Sequence, residues 1–344
     1  MGSAATGWWP SAPATIRQVL TGRSAVWYKG LVLAGALWVV RTRCPPEPAK
    51  EGGDVAVEPA EVFEEHRRLL FGVAYRMLGS VAEADDIVQD AWLRWDRVDH
   101  AEVDDPKAYL VRIVSRAALD HLRKASSRLE TYVGPWLPEP LLTGPDVADD
   151  AAMADSVSMA VLVVLETLSP LERAVFVLRE AFGFSYAEIG RALGRSEQAT
   201  RQLSHRAREH VHSRRPRFQA GRGERREVTE RFMKAAVGGD LAALLEVLSP
   251  EVTLVADGGD KAKAPRRPIH GADKVARWFV GINPEIPAGT RLHLVDVNGE
   301  LAAVATVDGD PIGVFALDVS PETRLIEVIR LIANPDKLAG VRMP

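Results

Sequence analysis

Ser196, Glu197, Gln198, Thr200, Arg201, His205, Arg206 and Arg208 fall in one short stretch, and their types suit the reading of duplex DNA. Arg can hold guanine by two hydrogen bonds, Gln can hold adenine, and Glu can accept from cytosine. In a helix-turn-helix the first residues of the second helix face base edges. That assigns Glu197, Gln198, Thr200 and Arg201 to bases. Arg195, His205, Arg206 and Arg208 are then placed for phosphates, which give affinity but no sequence information. The bland alternative is a helical bundle with a solvated charged face. The arginines that continue the stretch (Arg214, Arg215, Arg217, Arg222 and Arg225), with few carboxylates against them, favour nucleic acid.

Three further groups of residues carry chemical character. Arg112, Arg116, Arg123, Lys124 and Arg128 recur along one predicted helix, a row that can follow one DNA strand. Melted DNA is held by basic grooves with stacking aromatics, and Trp92, Trp95 and Tyr109 are near in sequence, although Trp92 reads better as core. Asp85, Asp86, Gln89, Asp90 and Asp96 form an acidic face that repels DNA and suits a protein partner. Asp257, His270 and Asp296 are of acid–base type. A general base needs a matched pKa and a positioned substrate, and no paired-carboxylate or nucleophile–base spacing stands out. Asp257 opens a Gly-Gly loop and His270 precedes Gly271, which is turn chemistry. The expectation is a protein that is not an enzyme and needs no cofactor or metal. The single cysteine, Cys44, excludes an intrachain disulfide and a Cys-rich zinc site.

The elements that must position these groups follow from patterning. The 344 residues are enough for two or three domains, and the net charge of −4 confines nucleic-acid binding to local patches. Residues 1–57 read as a poorly ordered extension containing the apolar run Gly30–Val40, too short to span a membrane. Residues 58–128 show helical spacing in three segments. Gly79 stops the first, Ser80-Val-Ala-Glu83 is a capping box for the second, and Asp105-Pro106 opens the third, expected to end near Lys124. Residues 129–156 are rich in Pro and Gly and read as a linker. Residues 157–215 form a second helical block, with capping boxes at Ser169–Glu172 and Ser185–Glu188 and a tight turn at Leu193-Gly194-Arg195. From 225 to 340, helices come first and strands follow, with an Asn298-Gly299 hairpin turn. That order marks a separate α+β domain.

These residues carry a resemblance. Residues 74–95, AYRMLGSVAEADDIVQDAWLRW, and 108–125, AYLVRIVSRAALDHLRKA, resemble region 2 of the extracytoplasmic-function (ECF) sigma factors. Residues 168–180, LSPLERAVFVLRE, and 186–208, YAEIGRALGRSEQATRQLSHRAR, resemble their region 4. WLPEPL (136–141), DGGDK (257–261) and NPDKL (334–338) resemble the motifs of the subgroup with a fused SnoaL-like domain. That subgroup has a glycine where Asp260 stands. Gly190 stands where alanine is common, which reads as a small change.

The resemblance implies a multidomain fold: two all-α modules, then an α+β SnoaL-like (NTF2-like) cone-shaped domain. It implies a cytoplasmic transcription factor whose partners are the bacterial RNA polymerase core and promoter DNA. Asp86, Gln89, Asp90, Leu93 and Trp95 would meet the clamp helices of the polymerase's largest subunit. Arg112, Arg116, Asp120, Arg123 and Lys124 would lie at the −10 element, and Gln198, Thr200, Arg201, His205 and Arg206 at the −35 element. Trp136, Leu137, Pro138, Glu139 and Pro140 would form a regulatory interface with Asp257, Gly258, Gly259, Asn334, Pro335, Asp336, Lys337 and Leu338. Regulation in cis makes a separate anti-sigma factor unnecessary, and the cone's pocket could take a small-molecule ligand. The competing reading is a helix-turn-helix regulator that works without polymerase and carries a ligand-sensing C-terminal domain.

Overall fold

The computed structural model describes residues 58–129, 132–143, 158–214 and 220–343. The 1–57 extension, Cys44, the middle of the linker and Arg215 to Arg217 lie outside the described residues. Among the described residues the first part is helical. α1 (Pro59–Leu78) starts on a proline and stops at Gly79, whose φ of 68° lets its N–H close on the Tyr75 carbonyl. α2 (Val81–Trp95) starts at Ser80. α3 (Pro106–Leu129) is capped by the Asp105 carboxylate, which accepts from Ala108 N at 2.9 Å. It runs past the expected end at Lys124.

After the linker come α4 (Met159–Leu165) and α5 (Pro170–Phe176). α5 passes into a π-helical turn, Val177–Ala181, which Gly183 closes. α6 (Tyr186–Leu193), the Gly194 turn and α7 (Glu197–Arg214) complete a helix-turn-helix. Both boxes of this block form as expected, at Ser169/Glu172 and Ser185/Glu188.

The two helical modules are not separate bodies here. Leu70, Val73, Leu110 and Val114 share one core with Leu162, Val175, Leu178 and Ala207. Arg173 pins the junction. Its guanidinium, almost fully buried, donates at 2.8 Å to the Met77 carbonyl of α1 and forks onto both oxygens of Glu166. Burial raises the Glu166 carboxyl above its ordinary range, against the pull of Arg173.

The second part opens with α8 (Arg222–Gly238) and α9 (Leu241–Val247). Its sheet has strand order β2-β1-β6-β5-β4-β3. The strands are β1 (Leu248–Asp257), β2 (Ile269–His270), β3 (Arg291–Val297), β4 (Glu300–Val307), β5 (Asp310–Val319) and β6 (Ile326–Ile332). β1 and β6 pair in parallel and the other neighbours antiparallel. α10 (Ala272–Ile282) crosses between β2 and β3, and α11 (Pro335–Leu338) closes the chain. Both tight hairpins turn on two residues at positive φ, Asn298-Gly299 and Asp308-Gly309.

The period-2 alternation of the strands decides what covers each face. Ala303, Phe315, Leu317, Ile329 and Leu331 pack on the domain's own helices, where Phe232 and Phe279 meet edge-to-face at 5.1 Å. Ala302, Val304, Val314 and Ile332 face the other way. They are covered by Leu137 of the linker, Met159 of α4 and Leu338 and Val341 of the tail. The sheet thus has one face for its own core and one for the rest of the chain. Among the described residues, no helix is long and apolar enough to cross a membrane.

Breaking the Arg173 anchor tests this packing. Arg173→Leu leaves the buried Glu166 carboxylate and the Met77 carbonyl without their donor. Unfolding in urea should show a loss of about 3–5 kcal/mol, the range for removing one partner of a buried pair.

Candidate functional site

On α7, the second helix of the helix-turn-helix, Gln198, Arg201, His205 and Arg206 are exposed. Arg201 lies over the Tyr186 ring, with its centroid at 5.5 Å, and is held by Glu197 at 2.5 Å. Arg206 pairs with Glu172 at 3.1 Å and Arg208 with Glu180 at 2.7 Å. Thr200 corrects the sequence reading. Its residue is fully buried and its hydroxyl donates to the Ser196 carbonyl at 2.9 Å, so it does not face a base. It belongs to the buried stripe Thr200, Leu203, Ala207 and Val211, a helical period visible in the sequence. Gly190 is also more than a small change. A Cβ there would lie 2.7 Å from the Arg195 carbonyl oxygen, which crosses it at the turn.

On α3, Arg112, Arg116, Asp120, Arg123 and Lys124 all have exposed side chains. Arg112 stacks over Tyr109 at 5.0 Å, and Arg123 pairs with Asp120 at 3.0 Å. Arg116 donates from Nε to the Ala192 carbonyl at 2.9 Å, inside the helix-turn-helix. The two helical modules therefore touch where α3 meets α6, the first helix of the helix-turn-helix. Between them lies a half-open cleft of about 660 Å³ lined by Tyr109, Arg112, Phe182, Phe184, Glu188 and Arg191, among others.

On α2, Asp86, Gln89, Asp90 and Leu93 are exposed on one side. Leu93, 45% exposed, is an apolar side chain standing among carboxylates. Trp95 is the second correction. It is buried, its indole N–H donates to the Pro59 carbonyl at 2.7 Å, and it continues the core stripe Ala84, Ile87, Val88 and Ala91. It cannot be a surface contact in this conformation. Trp92 packs edge-to-face on Phe63 at 5.1 Å, as a core residue would.

The linker and both C-terminal motifs come together. Asp257, at the end of β1, has no exposed surface. Its Oδ2 accepts from the Leu137 amide at 2.8 Å and from Lys337 Nζ at 2.7 Å. Its Oδ1 accepts from the Tyr132 hydroxyl at 2.5 Å and from Gly259 N at 3.2 Å. Lys337 also donates to the Leu137 carbonyl at 2.5 Å and sits 4.0 Å from the centre of the Trp136 ring. Burial lowers the Lys337 ammonium below its ordinary range, and Asp257 acts against that shift. Asn334 caps α11 through its carbonyl oxygen and donates its amide to Tyr132 at 2.8 Å.

Gly258 and Gly259 are required by space, since a Cβ would meet Ala262 O at 2.7 Å or the Asn334 amide at 2.8 Å. Asp260 is exposed and has no positive φ, so its position does not demand a glycine. Exposed Lys261 and Asp336 bridge the two motifs at 2.7 Å.

A second contact joins the linker to α1 and to the β3–β4 turn. Asn298 is buried at φ 54°, its Oδ1 accepts from Leu141 N at 3.1 Å, and its amide donates to the Tyr75 hydroxyl at 2.6 Å. Tyr75 in turn donates to the Glu139 carbonyl at 2.7 Å, and burial raises its phenol well above the ordinary value. Leu142 pairs with Val297 as a single β-bridge on edge strand β3. The Trp136 ring lies over Gly79, where a Cβ would sit 2.7 Å from it.

The capping box expected at Ser80 is half built. Ser80 accepts from Glu83 N at 3.2 Å, but the carboxylate at this helix end is Glu139. It takes Ser80 Oγ at 2.8 Å and Val81 N at 2.7 Å.

Tyr75, Tyr132, Glu166, Arg173 and Asn298 escaped the sequence reading as interface residues. Asn298 was visible only as a turn, and the others carried no local pattern.

The acid–base candidates are not assembled. His270 is on β2 and Asp296 on β3, at opposite edges of the sheet. Asp296 is bound by Arg222 at 2.7 Å, and His270 meets Thr253 at 3.1 Å. Asp257 is fully engaged in the interface.

Residues 62–128 match the family model of sigma-70 region 2, and residues 158–211 that of sigma-70 region 4. The ECF RNA polymerase sigma factor SigJ of Mycobacterium tuberculosis (strain ATCC 25618 / H37Rv) is 43% identical over 292 residues, spanning 81% of this chain and 92% of the relative. The probable ECF RNA polymerase sigma factor SigI of the same strain is 35% identical over 280 residues, spanning 80% and 93%. The crystal structure of SigJ matches with a TM-score of 0.62 at 39% identity, covering 82% of this chain and 99% of that one.

The Asp257–Lys337 pair makes a testable prediction. Lys337→Ala strands a buried carboxylate and should lower stability by about 3–5 kcal/mol if the interface stays closed. The chain can avoid that cost by undocking, so limited proteolysis should cut between Tyr132 and Thr143 faster than in the parent. Asp257→Asn with Lys337→Met should restore much of the protection.

Proposed function

The chain belongs to the ECF RNA polymerase sigma factors, proteins that direct promoter-specific transcription initiation, and on that premise we propose that its C-terminal α+β domain gates the sigma core in cis. The gate works by holding regions 2 and 4 packed on one another.

One contact carries this reading: Arg116 of the −10 row donates into the helix-turn-helix at Ala192. Two promoter boxes about two helical turns apart are separated by roughly 70 Å. Modules packed directly on one another in a single core do not span that distance, so promoter recognition requires the two modules to part. The linker joining them is the segment that Asp257, Lys337 and Asn298 hold. Tethering keeps the C-terminal domain at high effective concentration, so weak polar contacts suffice to bias the closed state.

In the open state the exposed Gln198, Arg201, His205 and Arg206 meet the −35 element. Arg112, Arg116, Asp120, Arg123 and Lys124 meet the −10 element. Asp86, Gln89, Asp90 and Leu93 meet the clamp helices of the polymerase's largest subunit; an exposed apolar side chain on the same side as two aspartates suits a protein surface better than DNA. Work with polymerase and promoter places the protein in the cytoplasm. A domain that gates in cis does the work of a separate anti-sigma factor. No chemistry is assigned to Asp257, His270 or Asp296.

Run-off transcription with purified core polymerase tests the gate. Removing 335–344 deletes Lys337 but leaves the Asn298 contact, and yield should rise several-fold over the full chain. Removing 223–344 also uncovers Leu137 and Met159 and should give a different yield. Equal yields from the full chain and both truncations would refute the gate.

A further inference from the structure

We propose that Glu83 and Glu139 are alternative caps of α2, so that departure of the linker is registered at the start of the helix that carries Asp86, Gln89, Asp90 and Leu93. The inference rests on the gating reading for its consequence, but not for its structural basis.

Among the described residues, three helices start on Ser-x-x-Glu, at Ser80, Ser169 and Ser185. Two are closed reciprocally: Ser169 N donates to Glu172 at 3.4 Å and Ser185 N to Glu188 at 2.7 Å. At Ser80 the hydroxyl half is present, but Glu83 turns away to His121 Nε2 on α3, at 2.9 Å. The carboxylate at this helix end is instead Glu139, which accepts from Ser80 Oγ, Val81 N and, at 3.4 Å, Ala82 N, donors adjacent to the Ser80 amide that a box glutamate would take.

A helix N-terminus favours one carboxylate, and two at the same end repel each other. Glu139 is not part of α2 or of any helix. It is held by contacts that belong to the docked state: its N–H to the Gly79 carbonyl at 2.8 Å, its carbonyl to Tyr75, and Leu141 to Asn298. When the linker leaves, Glu139 leaves with it, and the N-terminal amides of α2 lose their acceptor.

Glu83 occupies the position from which a capping-box carboxylate reaches the Ser80 amide. It can then supply the carboxylate at this helix end by closing the box on the Ser80 amide, as Glu172 and Glu188 do on theirs, releasing His121 and leaving Val81 N and Ala82 N to water. His121 sits on α3 beside Asp120, Arg123 and Lys124. The exchange therefore links departure of the linker to the polymerase-facing helix and the −10 helix through the Glu83 and His121 side chains. Glu83 keeps α2 capped in the open state, where its outer face must bind.

The test uses full-length protein and thermal unfolding midpoints. Glu139→Ala is made in three backgrounds: wild type, Glu83→Ala and Glu83→Gln. With exchange, Glu139→Ala lowers the midpoint by about 3 °C more in the Glu83→Ala background than in wild type, because no second cap remains. The Glu83→Gln background should behave like wild type, since Gln closes the box equally well. Simple charge repulsion predicts the opposite, with Glu83→Gln following Glu83→Ala. That result, or equal shifts in all three backgrounds, overturns the proposal.

Core-polymerase binding should be about fivefold weaker for Glu83→Ala/Glu139→Ala than for Glu139→Ala alone. If the midpoints couple as stated but Glu139→Ala leaves run-off yield unchanged, the exchange of caps stands and the gate falls. Additive midpoints with a raised yield give the reverse.

Discussion

A buried lysine cannot stay charged without a partner, and a buried carboxylate cannot either. Asp257 and Lys337 satisfy each other at 2.7 Å, but both also bind the backbone of Leu137. The linker is therefore the third member of the pair. Its amide and carbonyl supply the remaining partners that make burial of the two charges tolerable. Remove the linker, and the cluster must hydrate or rearrange. The rest of the interface follows from this coupling of charge satisfaction to linker position.

The apolar part of the interface is arranged around the same segment. Leu137 enters the sheet face of Val304, Val314 and Ile332, and Met159 and Leu338 fill in beside it. Burial of such side chains contributes roughly 1.5–3 kcal/mol each. That is enough to hold a tethered domain, and less than a full domain core. The polar contacts then fix register: Asn298 reads Leu141 and Tyr75, and Trp136 fits only because Gly79 has no Cβ. Apolar area supplies adhesion, and the buried polar groups restrict it to one docking geometry.

Much of the fold was legible because its signals are local. Capping residues, Asn-Gly turns, helix periods and strand alternation each depend on residues a few positions apart, and the elements fall close to where they were expected. Three linear motifs also pointed to segments that the structure brings together. What could not be read was which side chains complete it. Asn298 and Tyr75 are 223 positions apart, and Tyr132 and Asn334 are 202 apart. No periodicity connects them. Thr200 and Trp95 are different. Each lies on a core stripe at helical spacing, and the motif role assigned to each was the weaker inference. The packing of the two helical modules into one core was also hidden, because an apolar face does not name what it will cover.

The half-built capping box shows how such a misreading can inform. Ser80-Val-Ala-Glu83 has every residue a closed box requires, and two boxes of the same type close in the same chain. Local preference is therefore satisfied and overridden at one position only. The override comes from Glu139, on the segment whose placement depends on the Asp257–Lys337 cluster and on Asn298. A local rule that fails only where a distant segment intrudes marks a site at which two arrangements are close in free energy.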